Sequence, residues 1–263
     1  MEMCALLAIV GFVGGVLAGW VGLGGGIILA PLLLFVPSAI GLAPLDMKEV
    51  ARLTIIQSLC STAAAGIAHR RARLVHGPLV VWMGGLIAVA SLAGAMVSET
   101  GAISSDMLLG LFATMALVAA VLMLWRPAAQ DAHNLGRNAP PSFPRGRATA
   151  VSLGVGFLGG MVGQSGAFLT IPLLVQVLRL PVRLAIGSSL GITFCAALAG
   201  SFGKLLGGGP IVWHQIAALV VGSLAGSQLG SWINHRLPAT SLRYVLAVLI
   251  GASAIRMWFQ LVA

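Results

Sequence analysis

The sequence predicts an all-α membrane protein: a polytopic helical bundle of two homologous, inverted repeats, each opening with a broken or re-entrant helix. Three observations predict it. Charge is scarce, with 59% of the 263 residues hydrophobic and only 8% charged, against about 25% in a soluble domain. No Asp, Glu, Lys or Arg interrupts residues 3–45, 53–69, 74–98, 107–125, 148–178, 184–203, 205–235 or 244–255. A bilayer span needs roughly 20 apolar residues, and most of these runs reach it once interfacial residues are added. Finally, GVLAGWVGLGGGIILAP at 15–31 recurs as GFLGGMVGQSGAFLTIP at 156–172. Gly15, Gly19, Val21, Gly22, Gly25 and Pro31 fall on Gly156, Gly160, Val162, Gly163, Gly166 and Pro172. Glycine-broken apolar segments in corresponding places of two halves point to a duplicated transporter with its site at the breaks. The polar alternation of a β-barrel strand is missing.

The elements follow in chain order. Residues 1–125 form the first repeat, 126–147 a polar linker, and 148–263 the second repeat. Each repeat opens with a broken segment, 5–36 and 148–178. Plainer helices follow over about 50–69, 76–98 and 106–125, then 183–204, 210–233 and 241–260. Other short matches support the duplication: Ala51-Arg52-Leu53-Thr54 answers Ala185-Ile186-Gly187-Ser188, and Ser91-Leu92-Ala93-Gly94 recurs as Ser223-Leu224-Ala225-Gly226. An opening segment of about 31 residues is too long for one span and too short for two full ones. Each glycine in Gly22-Leu23-Gly24-Gly25-Gly26 costs a helix about 1 kcal/mol against Ala. Pro31 and Pro172 each remove a backbone donor.

Loop charge arbitrates the topology. If each opening segment folds back, each half crosses an odd number of times and the repeats are inverted. Arg70, Arg71, Arg73, Arg126, Arg137, Arg145, Arg147, Arg179, Arg183, Arg236 and Arg243 then lie inside. Lys48, Arg52, Lys204 and Arg256 lie outside, a split of 11 to 4. Four spans per half give 9 to 6. The positive-inside rule favours inversion, a cytoplasmic linker and residence in the inner cell membrane. The net charge of +9 is read as this topology signal. Basic patches interleaved with aromatics are missing, so nucleic acid is set aside. Cys4, Cys60 and Cys195 sit in apolar runs as packing thiols. No CxxC or histidine cluster suggests a metal, and no cofactor is expected. Residues 1–4 carry no positive charge and the apolar run after them is too long for a cleaved signal peptide.

Non-helical backbone survives in a membrane only where protein or a wet cavity covers it. A break there also exposes a half-helix N-terminus, with free N–H groups and about half a positive charge. Two such ends suit a small anion near the bilayer midplane. The candidate substrate-binding residues are Gly24, Gly25 and Gly26 with Thr54, Gln57 and Ser58 in the first half. Their counterparts are Gly163, Gln164, Ser165 and Gly166 with Ser188, Ser189 and Thr193. The side chains are neutral donors, able to hold an oxyanion and release it. Each motif also has a plainer reading. Glycine runs pack helices closely, and Ser or Thr in a span often bonds its own helix. Arg52 and Arg183 read as topology anchors, His214 as interfacial beside Trp213, and Lys204 as a snorkelling span end. No Asp or Glu falls inside an expected span, which argues against a carboxylate proton relay.

Val21 to Gly26 with Pro31, Gly163 to Gly166 with Pro172, and the helix start Ala185-Ile186-Gly187-Ser188-Ser189-Leu190 together resemble the signature of the TauE/SafE family, the sulfite exporter-like transporters. The resemblance covers nearly the whole chain. It implies a secondary carrier of sulfite, sulfoacetate, thiosulfate or related organosulfonates. Arg52 departs from the pattern, standing where small residues are common, which leaves it room to attract an anion at the outer mouth. Two alternatives compete. Gly163-Gln164-Ser165-Gly166 resembles the GxSG of rhomboid intramembrane serine proteases, with His214 as base. A passive anion channel is the other.

Overall fold

The computed structural model describes residues 2–21, 26–71, 77–124, 144–180, 182–209, 212–234, 251–252 and 254–259. Among them the regular structure is entirely helical. Nine helices run α1 Glu2–Val21, α2 Gly26–Ala39, α3 Met47–Arg71, α4 Gly77–Glu99, α5 Ser105–Leu124, α6 Arg145–Val162, α7 Ala167–Gln176, α8 Val182–Leu206 and α9 Trp213–Asn234. Residues 251–252 and 254–259 are helical as well, inside the helix expected over 241–260. Most of the linker lies outside the described residues. Its last residues, Arg145–Arg147, already belong to α6.

The chain turns its apolar side outward. Val81, Val89 and Val221 stand about two-thirds exposed or more, while Thr54, Ser91, Gln164 and Ser188 are fully buried. In water this arrangement would be costly; in lipid it is the stable one, because polar groups find partners only inside the protein. Gly77–Glu99, Ser105–Leu122 and Gly187–Leu206 are each long and apolar enough to cross a membrane. This is an all-α membrane protein.

Glycine spacing decides which helices touch. α1 lies along α9: a Cβ on Gly11 would strike the Leu219 carbonyl, and one on Gly15 the Ser223 backbone. From the other side, Gly222 and Gly226 face the Ala8 and Phe12 carbonyls. α6 lies along α4 in the same manner. Gly156 meets Ile87, Gly160 meets the Ser91 carbonyl, and Gly94 meets that of Phe157. Small residues let backbones approach this closely where lipid provides no hydrophobic drive between helices. Each half's opening helix thus packs on a helix of the other half. Ser91 and Ser223, matched in the sequence, sit at the two crossings.

α3 and α8 occupy the middle. α3 packs on α2, α5, α6, α8 and α9, and α8 on α3, α4, α6 and α7. Ser91 ties α4 to α8 by donating to the Ala196 carbonyl at 2.9 Å. α2 turns back along α1, since Leu29 and Leu32 lie against Gly14. In one straight helix residues 14 and 29 would be about 22 Å apart.

Candidate functional site

The opening segment of the second half breaks at Gly163–Gly166. Gly163 has φ 76° and ψ 20°. Its N–H donates to Gly160 O at 3.3 Å, and that of Gln164 to Gly159 O at 2.9 Å. This pair of bonds is how a left-handed glycine closes a helix. Ser165 (φ 53°) and Gly166 (φ 64°) continue in left-handed geometry. For a residue with a Cβ that conformation costs roughly 1–2 kcal/mol, so Ser165 holds local strain. α7 then restarts, with Leu169 and Thr170 donating to Gly166 O at 3.1 and 3.0 Å. The amides of Ser165, Gly166 and Phe168 have no acceptor among the described residues. α7 therefore begins inside the protein with free donors and the positive end of its dipole.

α3 of the first half closes against this break. A Cβ on Gly163 would run into the Ala51 backbone, so glycine sets how near the two come. Thr54 Oγ1 lies 3.0 Å from Gly163 O and 2.8 Å from Val50 O of its own helix. Its single proton serves one of them at a time. One turn on, Ser165 Oγ donates to Ser58 Oγ at 3.1 Å. Gln57 Nε2 donates to Ser61 Oγ at 2.7 Å.

Thr54, Gln57, Ser58, Gln164 and Ser165 are each exposed by 1% or less. Yet among the described residues Gln57 Oε1 and both polar atoms of the Gln164 carboxamide have no hydrogen-bond partner. A buried polar group left unpaired costs about 1–3 kcal/mol. Such groups call for an explanation. Carboxamide N–H groups, serine hydroxyls and helix-start amides together offer several neutral donors to an oxyanion.

The remaining candidates fall as follows. Ser188, Ser189 and Thr193 are buried in the N-terminal half of α8. Thr193 directs its hydroxyl to Ser189 O at 2.7 Å, the own-helix bond its plainer reading expects. Gly24 and Gly25 lie outside the described residues, and Gly26 begins α2. Arg183, an expected anchor, falls in the first turn of α8. Ser165 has Ser58 as its hydroxyl partner. His214 is exposed at the start of α9, so the described geometry gives Ser165 no histidine base.

Sequence reasoning missed a buried ion triad beside the break. Arg52 Nη2 meets Glu99 Oε2 at 2.6 Å, and Lys204 Nζ meets Glu99 Oε1 at 3.0 Å. Lys204 also donates to Ser98 Oγ at 2.7 Å and Met161 O at 3.3 Å. Lys204 does not snorkel: it is 1% exposed, because three acceptors inside the bundle take its protons. Arg52 is an ion-pair partner more than an anchor. Glu99 ends α4 with its side chain 3% exposed, so a carboxylate does lie within a span. The turn after α8 covers the triad. Gly207 rests on the Glu99 side chain and Gly209 on the Arg52 guanidinium, so a Cβ at either would have to displace a member of the triad. The signal was present in the sequence: Lys204 stands alone between the charge-free runs 184–203 and 205–235. An isolated charge in such a place implies a partner.

A lipid-facing helical bundle enclosing a polar helix break is the build of a polytopic membrane protein. The chain belongs to the family described as Sulfite exporter TauE/SafE, whose profile matches residues 7–257. It is 27% identical over 261 residues to the probable membrane transporter protein YunE of Bacillus subtilis, covering 93% of each chain. It is 23% identical to the probable membrane transporter protein MJ0441 of Methanocaldococcus jannaschii, covering 96% of this chain and 94% of that protein. A third relative is the probable membrane transporter protein MamO of Magnetospirillum gryphiswaldense. There the identity is 25%, over 95% of this chain and 44% of that longer protein. No solved structure matches.

Proposed function

We propose that this protein is a secondary carrier of small sulfur-containing anions such as sulfite, sulfoacetate, thiosulfate or organosulfonates, working by alternating access at the interface of two inverted repeats in the inner membrane. One observation carries the reading: a helix break that presents amides and a fully buried Gln164 carboxamide without partners among the described residues, next to a Ser165 that reaches Ser58 of the other half. The donors are neutral, so an oxyanion is held without the desolvation cost and tight grip of a dedicated arginine. The family's own description names sulfite export, which favours sulfur oxyanions among anions. Inversion is supported by the fold-back of α2 on α1. α7 agrees with it, since its 10 residues reach about 15 Å, half the hydrocarbon thickness. The linker 126–147 would then be cytoplasmic.

Flux of radiolabelled sulfite and sulfoacetate into proteoliposomes holding the purified chain tests the reading. Saturable uptake is expected, with counterflow when the lumen is preloaded, which a passive channel would not give. Gly166→Leu is expected to abolish uptake, because a side chain there meets Val155 and a φ of 64°. Absence of saturable flux for every sulfur oxyanion tried would defeat the proposal. Transport unchanged in Gly166→Leu would remove the site.

A further inference from the structure

The geometry points to Lys204 as the residue that fixes the charge preference of the break, making it select anions. This inference rests on the reading of Gly163–Gly166 as the substrate site and adds how its sign is set.

A broken helix is electrically ambiguous. The C-terminus of its first half presents carbonyls and a partial negative charge; the N-terminus of its second half presents amides and a partial positive one. Where the two ends meet, they offset each other, and such breaks hold cations as well as anions. What decides the outcome is which end is already satisfied.

Here most of the carbonyl end is satisfied. Gly159 O takes the Gln164 amide and Gly160 O takes that of Gly163. Thr54 reaches Gly163 O. Met161 O takes the Lys204 ammonium at 3.3 Å. A full positive charge therefore sits against the last turn of α6, one residue before the helix closes. The amide end, at Ser165, Gly166 and Phe168, has no comparable partner among the described residues. The sum around the break is positive.

Glu99 does not cancel that charge, because Lys204 shares it with Arg52. Two cations and one carboxylate leave one net positive charge in a cluster that is nearly sealed from solvent. In such surroundings a charge is felt farther than in water. Glu99 and Ser98 nonetheless keep the ammonium oriented toward α6, so it acts as a fixed field rather than as a ligand that travels with the substrate. Lys204 is on these grounds a positioning residue: it works through the backbone of α6.

The test measures sulfite uptake kinetics in proteoliposomes for four proteins: wild type, Lys204→Met, Lys204→Arg and Lys204→Gln. The expected result for Lys204→Met is a KM raised tenfold or more, with kcat changed less than threefold. Lys204→Arg restores KM to within threefold of wild type. Lys204→Gln keeps a neutral hydrogen-bond donor at this position and removes the charge, while Glu99 keeps its pairing with Arg52. Its KM stays raised. If Lys204 only holds the bundle together through its hydrogen bonds, Lys204→Gln instead recovers the wild-type KM, and the inference is overturned. A wild-type KM in Lys204→Met overturns it too. Wild-type protein that moves no sulfur oxyanion defeats the underlying reading of the site, an outcome separate from either of these.

Discussion

Gln164 is the buried side chain on which the proposed site leans most. Its carboxamide is sealed from solvent, and neither its nitrogen nor its oxygen has a partner among the described residues. Replacing it with an apolar residue of similar size removes a polar group that makes no hydrogen bond there. Gln164→Leu is therefore expected to stabilise the protein by about 1 kcal/mol or more while raising the KM for sulfite at least tenfold. Thermal unfolding in detergent and proteoliposome uptake read the two effects separately. A loss of stability in Gln164→Leu would mean that the carboxamide has a structural partner, and its role as a substrate donor would fall. Ser165 belongs to the same argument. A serine kept at φ 53° between Gln164 and Gly166 is strained for some return, and the hydroxyl contact to Ser58 across the two halves supplies one.

At the scale of elements, the glycines that recur in the sequence divide into two jobs. Gly156 and Gly160 pack α6 on α4, whereas Gly163 and Gly166 turn the chain. Close packing and a break in the helix therefore both occur, at positions a turn apart. Sequence spacing alone could not separate them, because GxxxG packing and a helix break both ask for glycine. The helices and the second break were legible, since charge-free runs and clustered glycines state them directly. The grouping of Thr54 and Ser58 with Ser165 was legible only as a list of polar residues; which half faces which is decided by packing. The ion triad was hidden for another reason. Its members are far apart along the chain, and the terminal placement of Lys204 and Glu99 imitates interfacial anchoring. The packing role can be tested apart from transport. Gly160→Leu places a side chain into the Ser91 carbonyl and is expected to prevent assembly, seen as loss of the monodisperse peak in size-exclusion chromatography. Gly154→Leu, two residues from Gly156 on the open face of the same helix, is expected to fold and transport normally. Failure of both would mean that α6 tolerates no bulk anywhere, and the crossing with α4 would not be the cause.

The whole molecule poses the question of how the two halves are related. The opening helix of each packs on a helix of the other, α1 on α9 and α6 on α4, so neither half can close its own core. Such an exchange is expected of duplicated units that share one central site. An odd number of crossings per half puts the N-terminus and the linker on opposite faces of the membrane; four spans per half puts both, and the C-terminus, on the same face. Charge agrees with the first arrangement, because the basic residues then divide 11 to 4, in the sense the positive-inside rule demands. In a background where Cys4, Cys60 and Cys195 are replaced by Ala, single cysteines at Glu2, Gly101 and Ala132 distinguish the two. The inverted arrangement predicts that a membrane-impermeant maleimide labels Glu2→Cys and Gly101→Cys in intact cells, and Ala132→Cys only after the membrane is opened. Equal protection of Glu2→Cys and Ala132→Cys in intact cells would establish parallel halves. The breaks would then enter the membrane from the same side, and a shared site at the midplane, with the alternating access built on it, would have to be abandoned.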